Sequence, residues 1–380
     1  EANALAQQQA RRLATKPLSS VIETKRLLKA STTPAVLERM RESLHFNPKT
    51  GRTEAIIGDW YKPFLSADLP KLKALLGDVP REDFAFAAQK LLEENIFDYL
   101  AHHLSPYPPK SVNLCLAGGC MANVKLNYEL LKLPQVKNIY VAPSMGDGGN
   151  ALGGAVHVAV SKGKTTHIVM PDVYLGPGYS AEEIEQACKD AGLAFQKISG
   201  AEKIEKVASL INESTIVGWF QGRMEYGPRA LGARSIIASA ADPEINNSLN
   251  KRLNRTEFMP FAPVTTEALA GRCFNEWQPE HPCPQFMTIC YSCTPFMAEQ
   301  CPATVHVDNT ARPQIVRRAD NSEYHDVIER YFALSGRPAI INTSFNHHEE
   351  PIVMSPGDAI RSYQKGNVDV LVMGDYFIGL

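Results

Sequence analysis

Apolar residues recur at helical spacing between Arg81 and Leu104, where Phe84, Ala88, Leu91, Leu92, Ile96, Tyr99 and Leu100 predict an amphipathic helix. A different rhythm follows. SVNLCLA reads as a short strand, GGCMAN as a glycine turn and VKLNYELLK as a helix. NIYVAP is the next strand, SMGDGGN a second glycine loop and ALGGAVHVAV a second helix. Strands alternating with helices predict an α/β layered domain with parallel pairing. Ahead of this succession, residues 1–50 read as polar and helical with breaks at Pro17 and Pro34, and GRTEAIIGDWYKPFLSADLP reads as loop.

The pattern changes again at KGKTTHIVMPDVYLGPGYS, rich in Gly and Pro, which marks a domain boundary. Beyond it Ser180 and Glu183 form a capping-box pattern that opens a helix. A second helix precedes the strand STIVGWF, and EYHDVIERYFALSG, PAIIN, SPGDAIRSYQKG and VDVLVMG continue as helix, strand, helix and strand. The fold class is therefore α/β throughout, with domains expected at 1–168 and 172–380. A chain of 380 residues is long enough for two such cores.

Charge narrows the function classes. A net charge of -2 and a pI of about 6.6 argue against a bulk nucleic-acid binder, and no apolar run is long enough to span a membrane. The chain opens EANALAQQQARR, without an initiator Met or the apolar core of a signal peptide, so a fragment or processed product is expected. Eight scattered cysteines fit reduced thiols in the cytoplasm. Cys290 and Cys293 form a CxxC that raises a zinc site. FMTICYSC reads as a strand, however, and residues three apart on a strand point to opposite faces, which favours plain thiols.

Two groups of residues carry candidate chemistry. Gly118–Gly119 and Gly146–Gly149 each lie between a strand end and a helix start, where bare backbone lets a nucleotide approach. Asp147, inside the second loop, is either a metal ligand or a turn residue bonded to its own backbone. In the second domain, GWFQGRMEYGPRALGARS sets Arg223, Arg229 and Arg234 among glycines, a good design for phosphate because the guanidinium fork donates two hydrogen bonds. NKRLNRTEFMPFAP adds Lys251, Arg252 and Arg255, and HVDNTARPQIVRR adds Arg312, Arg317 and Arg318. INTSFNHHEEPIV brings Asn342, Thr343, Ser344 and Asn346, polar groups suited to a phosphate or a base. Arg317 and Arg318 read as solvated surface. The other arginines, if they converge, would bind a polyanion such as ATP with an acyl phosphate.

GRMEYGPRALGARSI, FMPFAP, HVDNTARPQ and NTSFN followed by EEPIV resemble the C-terminal domain of the O-carbamoyltransferase family of nodulation-factor and antibiotic carbamoylation. LAGGCMANVKLN and GDGGNALGGAV resemble the end of that family's first domain, so the match runs from about residue 80 onward. The resemblance implies the C-terminal part of a sugar-kinase/actin-type ATPase domain followed by a YrdC-like domain. It implies that the second domain forms carbamoyl-adenylate from ATP, with Mg2+, and carbamoyl phosphate. The first would pass the carbamoyl group to a hydroxyl of a small-molecule acceptor with a divalent metal, Fe2+ by expectation. Hydrogenase-maturation carbamoyltransferases use similar domains in the opposite order, so the order here favours the O-carbamoyl branch.

Carried over residue by residue, the resemblance makes Asp147 the metal-binding aspartate, and Gly118, Gly119 and Asn123 the turn that holds adenosine. Arg229, Arg255, Arg312 and Ser344 become the catalytic, phosphate-handling residues, with Arg223, Arg252, Asn342, Thr343 and Asn346 binding the nucleotide. Three departures stand out. Leu253 and Met259 occupy positions near PFAP where many members carry basic residues. Asn309 replaces a glycine, and the family's N-terminal metal-binding histidines have no match, since His102–His103 are adjacent on a helix and read as boundary residues. Two other readings stay open: a non-catalytic nucleotide-binding module derived from the enzyme, and an adenylate-forming enzyme serving tRNA modification. The acceptor and a homodimeric state are left open as well.

Overall fold

The computed structural model describes residues 37, 38, 40, 41, 44–55, 79–166, 170, 172–254 and 261–380. The helices expected over 1–50 and the loop expected over GRTEAIIGDWYKPFLSADLP lie mostly outside the described residues, and where they are described, 44–55 pair as a hairpin instead. The chain divides into two compact units, one taking in the described residues up to Val112 with Lys132–Lys137, the other Asn113–Leu131 and Asn138–Leu380. The boundary expected at 168–172 falls inside the second unit; a division by compactness and one by fold ancestry need not coincide.

The first unit holds an antiparallel hairpin, β1 (Leu44–Asn47) and β2 (Arg52–Ala55), turned at Gly51. The helix α1 (Arg81–Leu104) packs on it. Tyr99 meets Phe46 edge to face, and the His103 Nε2 meets the Gly51 carbonyl at 3.0 Å. The helix forms where its apolar spacing placed it, but its buried stripe differs from the expected one. Asp83, Ala87, Leu91 and Asn95 are buried, every fourth residue, and of the seven expected core positions only Leu91 is among them. A strict four-residue spacing describes this stripe better than the broad one inferred from hydrophobicity.

In the second unit the strand–turn–helix succession appears as read. It comprises β3 (Val112–Leu116), a 3-10 turn at Gly119–Ala122, α2 (Val124–Leu131), β4 (Val136–Val141) and α3 (Gly149–Ser161). Ser111 N donates to Gln135 O and, further along, Ala142 N to Leu116 O, so β3 and β4 run parallel. Next comes α4 (Ala181–Asp190), opened by the expected box: Ser180 Oγ accepts from Glu183 N at 3.2 Å and Glu183 Oε2 from Ser180 N at 2.7 Å. The chain continues through β5 (Gln196–Lys197), α5 (Gly200–Asn212), β6 (Val217–Phe220), β7 (Arg234–Ser239), α6 (Ile245–Arg252), β8 (Ala262–Thr266) and α7 (Glu267–Cys273). It ends with β9 (Tyr291–Ser292), α8 (Pro295–Gln300), β10 (Thr310–Ala311), β11 (Gln314–Val316), α9 (Ser322–Ser335), β12 (Ile340–Ser344), α10 (Pro356–Gln364), β13 (Val370–Met373) and β14 (Tyr376–Ile378).

An eight-stranded sheet in the order β11-β8-β12-β7-β6-β13-β14-β5 forms the centre of this unit. It is mixed: β11–β8 and β13–β6 are parallel, while the pairs made by β7, β12 and β14 are antiparallel. Every residue of β6, β7 and β8 is buried, including the polar Arg234, Ser235, Ser239, Thr265 and Thr266. Helices α5 and α9 close the core with Val207, Ile211, Tyr324, Val327, Ile328 and Tyr331 packed on Trp219, Ile237, Val264 and Ile340. FMTICYSC is not a full strand. Only Tyr291–Ser292 form a strand, with Cys293 in an isolated bridge to Phe274, and Cys290 and Cys293 are buried free thiols.

Candidate functional site

The first feature is a cavity of about 500 Å³ between the turn after β3 and the loop after β4, walled by Gly118, Ser144–Asp147, Leu152, Gly153 and Tyr226 among others. The two glycine segments are sewn together, Gly118 N donating to Met145 O at 2.7 Å. Glycine matters at two points for opposite reasons, by necessity at Gly149 and by leaving open space at Gly153. A Cβ on Gly149 would lie 2.2 Å from the Ser144 carbonyl, so the loop cannot close around a side chain. A Cβ on Gly153 would meet nothing within 4 Å and would simply occupy the cavity. Such a space, lined by backbone and a few polar groups, suits a nucleoside.

Of the residues expected here, Gly118 lies on the wall, whereas Gly119 and Asn123 stand behind it. The Asn123 side-chain carbonyl accepts from Leu126 N at 3.0 Å and caps α2. Asp147 lines the cavity and is exposed. Among the described residues no group of three or more His, Cys, Asp or Glu side chains could hold a metal ion. A lone carboxylate is no site for Fe2+.

The second feature is the arginine loop between β6 and β7. Its three arginines take different roles. Arg223 donates to the carbonyls of Gly176 and Leu175, at 2.9 and 2.6 Å, and clamps a neighbouring turn. Arg234 is fully buried, stacked 3.6 Å from the Phe220 ring centre, with its guanidinium on the carbonyls of Gln221, Gly222, Ala233 and Pro177. Burial pushes it down to about 10. Buried Glu225 gathers the backbone: its Oε1 accepts from Leu231 N, Ala233 N and Arg234 N at 2.7, 2.6 and 3.1 Å. Arg229 remains. Its Nε is buried without a hydrogen-bond partner among the described residues, and burial lowers its pKa.

Arg312 comes to this place from another loop. Burial, and after it the Arg229 guanidinium, pushes Arg312 down to about 9, with no carboxylate opposing the shift. Two half-buried cations, one lowering the other and no carboxylate opposing the shift, are a site for an anion. A pair of buried amides sets their positions. Asn342 Nδ2 donates to Ala230 O at 3.0 Å and to Gln314 Oε1 at 2.7 Å, while Gln314 Nε2 donates to Leu231 O at 2.8 Å. This ties the residue after Arg229, the strand that starts two residues after Arg312, and β12, which carries Ser344 on the same face as Asn342. Asn342 is thereby a jig within the site, and its Oδ1 is buried with no partner among the described residues.

The remaining expected residues are placed as follows. Ser344 Oγ donates to Asn346 Oδ1 at 2.6 Å, and Asn346 Nδ2 to Glu350 O at 2.7 Å. Thr343 sits opposite Ile236 in the sheet. Arg252 is ion-paired with Asp369 at 2.5 Å, and Arg255 lies outside the described residues, as does Met259. Leu253 is fully buried. Asn309 has φ +60°, the left-handed backbone a glycine there would take, within a turn stitched by Asp308 to Thr310 and reached by Lys125 at 2.9 Å. Arg317 and Arg318 pair with Asp320 and Asp326. Glu225, Tyr226 and Gln314 were not singled out from the sequence, although each lies inside a quoted motif; a Glu among glycines gives no sign of burial until the loop is folded.

Two family models match the chain, "Carbamoyltransferase N-terminus" over residues 22–156 and "Carbamoyltransferase C-terminus" over 208–379. Nodulation protein NolO of Bradyrhizobium diazoefficiens is 34% identical over 299 residues, which is 78% of this chain and 54% of the relative. Nodulation protein U of Sinorhizobium fredii is 33% identical, over 72% of this chain and 47% of its own length. An uncharacterized protein of Methanocaldococcus jannaschii is 33% identical, over 82% and 50%. The chain thus spans about half the length of the curated relatives it matches. Full-length HypF, solved in a phosphate- and nucleotide-bound form, superposes with a TM-score of 0.32 and 17% identity over 48% of this chain and 22% of that one, a likeness too slight to carry function. With models for both halves of one enzyme family matching most of its length in order, the chain belongs to the carbamoyltransferase family.

Proposed function

We propose that this chain is the adenylate-forming part of an ATP-dependent O-carbamoyltransferase, with the Arg229–Arg312 pair as its phosphate site and the glycine-walled cavity as a nucleoside site. The observation that supports this is the pair itself, two guanidiniums both disfavoured by burial, with Arg229 lowering Arg312 further. An anionic phosphate between them relieves both penalties at once. Carbamoyl phosphate and ATP bring four phosphoryl groups together and carbamoyl-adenylate keeps one, so pyrophosphate and orthophosphate both leave and one water is consumed. Charge gathers on phosphate oxygens as the α-phosphorus is attacked, and fixed guanidiniums stabilise it without a proton donor. Ser344, held by Asn346, stands on the face of β12 that the amide jig aligns with the arginines. Transfer follows when an acceptor hydroxyl attacks the carbamoyl carbon and AMP departs. The described residues make no metal site, so no step here is assigned to iron.

The test is to mix the chain with ATP, Mg2+ and carbamoyl phosphate, assay pyrophosphate and orthophosphate, and look for carbamoyl-adenylate by mass spectrometry. All three should form, and Arg229→Ala and Arg312→Ala should each reduce the rate by about a hundredfold or more, as expected when a preorganised cation is removed. Activity surviving both changes would end the arginine-pair assignment. Leu253 favours a second reading, since a fully buried leucine stands near a position where many relatives carry a basic residue. A nucleotide-binding module without catalysis would bind ATP in the same assay and release no pyrophosphate.

A further inference from the structure

Glu225 and Tyr226 are consecutive, and they grip opposite things. Glu225 holds the far end of the arginine loop through three backbone N–H groups. Tyr226 turns the other way: its ring lines the cavity and its hydroxyl donates to the Gly148 carbonyl at 3.1 Å. That carbonyl stands between Asp147 and the first residue of α3, in the loop that has no room for a side chain at Gly149. In the chain direction only Gly227 and Pro228 separate Tyr226 from Arg229. Gly227, at φ +110°, is pressed on the Pro143 carbonyl, which a Cβ would meet at 2.9 Å, and the Tyr226 amide donates to Val173 O at 2.6 Å. The segment from Glu225 to Arg229 is therefore tied to two loops, through Glu225 on one side and through the Tyr226 hydroxyl and amide on the other. Closing the hydroxyl bond to Gly148 removes freedom from the short segment that carries Arg229.

We propose that Tyr226 is a positioning residue that couples occupancy of the cavity to the affinity of the Arg229–Arg312 pair for a phosphate anion. The inference rests on the two-site reading above and goes beyond it by making the sites interdependent. A nucleoside in the cavity packs on the Tyr226 ring and holds the bond to Gly148 closed. The Arg229 loop is then settled before the anion arrives, and the ordering cost falls on the first ligand. Linkage requires the anion to tighten the nucleoside by the same factor. The hydroxyl separates this device from ordinary packing, because phenylalanine keeps the ring and loses the hold on Gly148.

Calorimetric titration of pyrophosphate into the whole chain, with and without saturating adenosine, tests it. Adenosine should tighten pyrophosphate by about fivefold or more, and in Tyr226→Phe that ratio should fall to about one, whatever the change in the affinity of either ligand alone. Gly153→Leu, whose side chain would fill the cavity, should abolish adenosine binding and its effect together, which places the effect in the cavity and not at the arginines. Coupling that persists in Tyr226→Phe, or a wild-type protein that binds both ligands independently, overturns the proposal and leaves both sites standing. A folded protein that binds neither adenosine nor pyrophosphate removes the two-site reading itself, and this inference with it.

Discussion

Arg312 pays in stability for what it offers in binding. Its guanidinium is pushed down to about 9 by burial first and Arg229 second. A base whose folded pKa lies below its unfolded value is a stability cost, present at neutral pH and relieved as pH rises through about 9. Arg312→Gln should therefore melt no lower than the wild type while losing anion affinity, a combination that an ordinary structural arginine does not give. The binding side has its own sign. Sulfate does not titrate in the range, so its affinity should stay level between about pH 7 and pH 8 and fall above about pH 9, with proton uptake on binding there. Calorimetry in buffers of different ionisation heat measures that uptake; level affinity up to about pH 10 would place the anion elsewhere. Residue type and motif had made the candidates visible in the sequence. Their sorting was not visible, because what separates Arg229 from Arg223 and Arg234 is which carbonyls lie within reach, and those of Leu175 and Pro177 come from a different stretch of chain.

The loop from Gln221 to Arg234 behaves as an element in its own right, with a buried carboxylate as its centre in place of a backbone ladder. Three N–H groups converge on Glu225 Oε1, and the Arg234 guanidinium supplies the balancing charge nearby. Glu225→Ala would leave those donors and a buried cation uncompensated, and should lower stability by about 3–5 kcal/mol in urea unfolding. Glu225→Gln keeps one acceptor oxygen and should fall well short of that loss. A cost under about 1 kcal/mol for the alanine variant would show that the loop does not depend on this centre. Regular elements were legible where local chemistry decides them: both glycine-turn strands, the Ser180 capping box and α9 lie where spacing put them. Register and partnership were not, because β12 lies between β7 and β8, strands contributed from about a hundred residues earlier. The α1 stripe was not legible either, because a helix's buried face is set by what packs on it as much as by its own sequence.

At the scale of the whole molecule, cysteine gives a test of packing that needs no ligand. Six of the eight thiols are buried and two, Cys115 and Cys120, are exposed on β3 and on the turn after it. Burial pushes Cys273, Cys293 and Cys301 up to about 12, so while they stay packed they are thiols and not thiolates. None of the CxxC pair's neighbours complete a metal set among the described residues, and Cys290 spends its S–H on the Val124 carbonyl at 3.5 Å. Native protein treated with an aromatic disulfide reagent near neutral pH should thus release two equivalents of thiolate quickly and the other six only as it unfolds. The six should appear with the kinetics of global unfolding, because Cys273 ends the helix that follows the fully buried strand β8 and Cys301 donates to Ala339, beside β12. Fast release of four or more would mean that the Cys273–Cys301 region opens independently of the sheet. Since Arg312 follows directly on that region through the short strand β10, an opening there would also loosen the arginine pair, and the thiol count would then predict weak anion binding before any ligand was added.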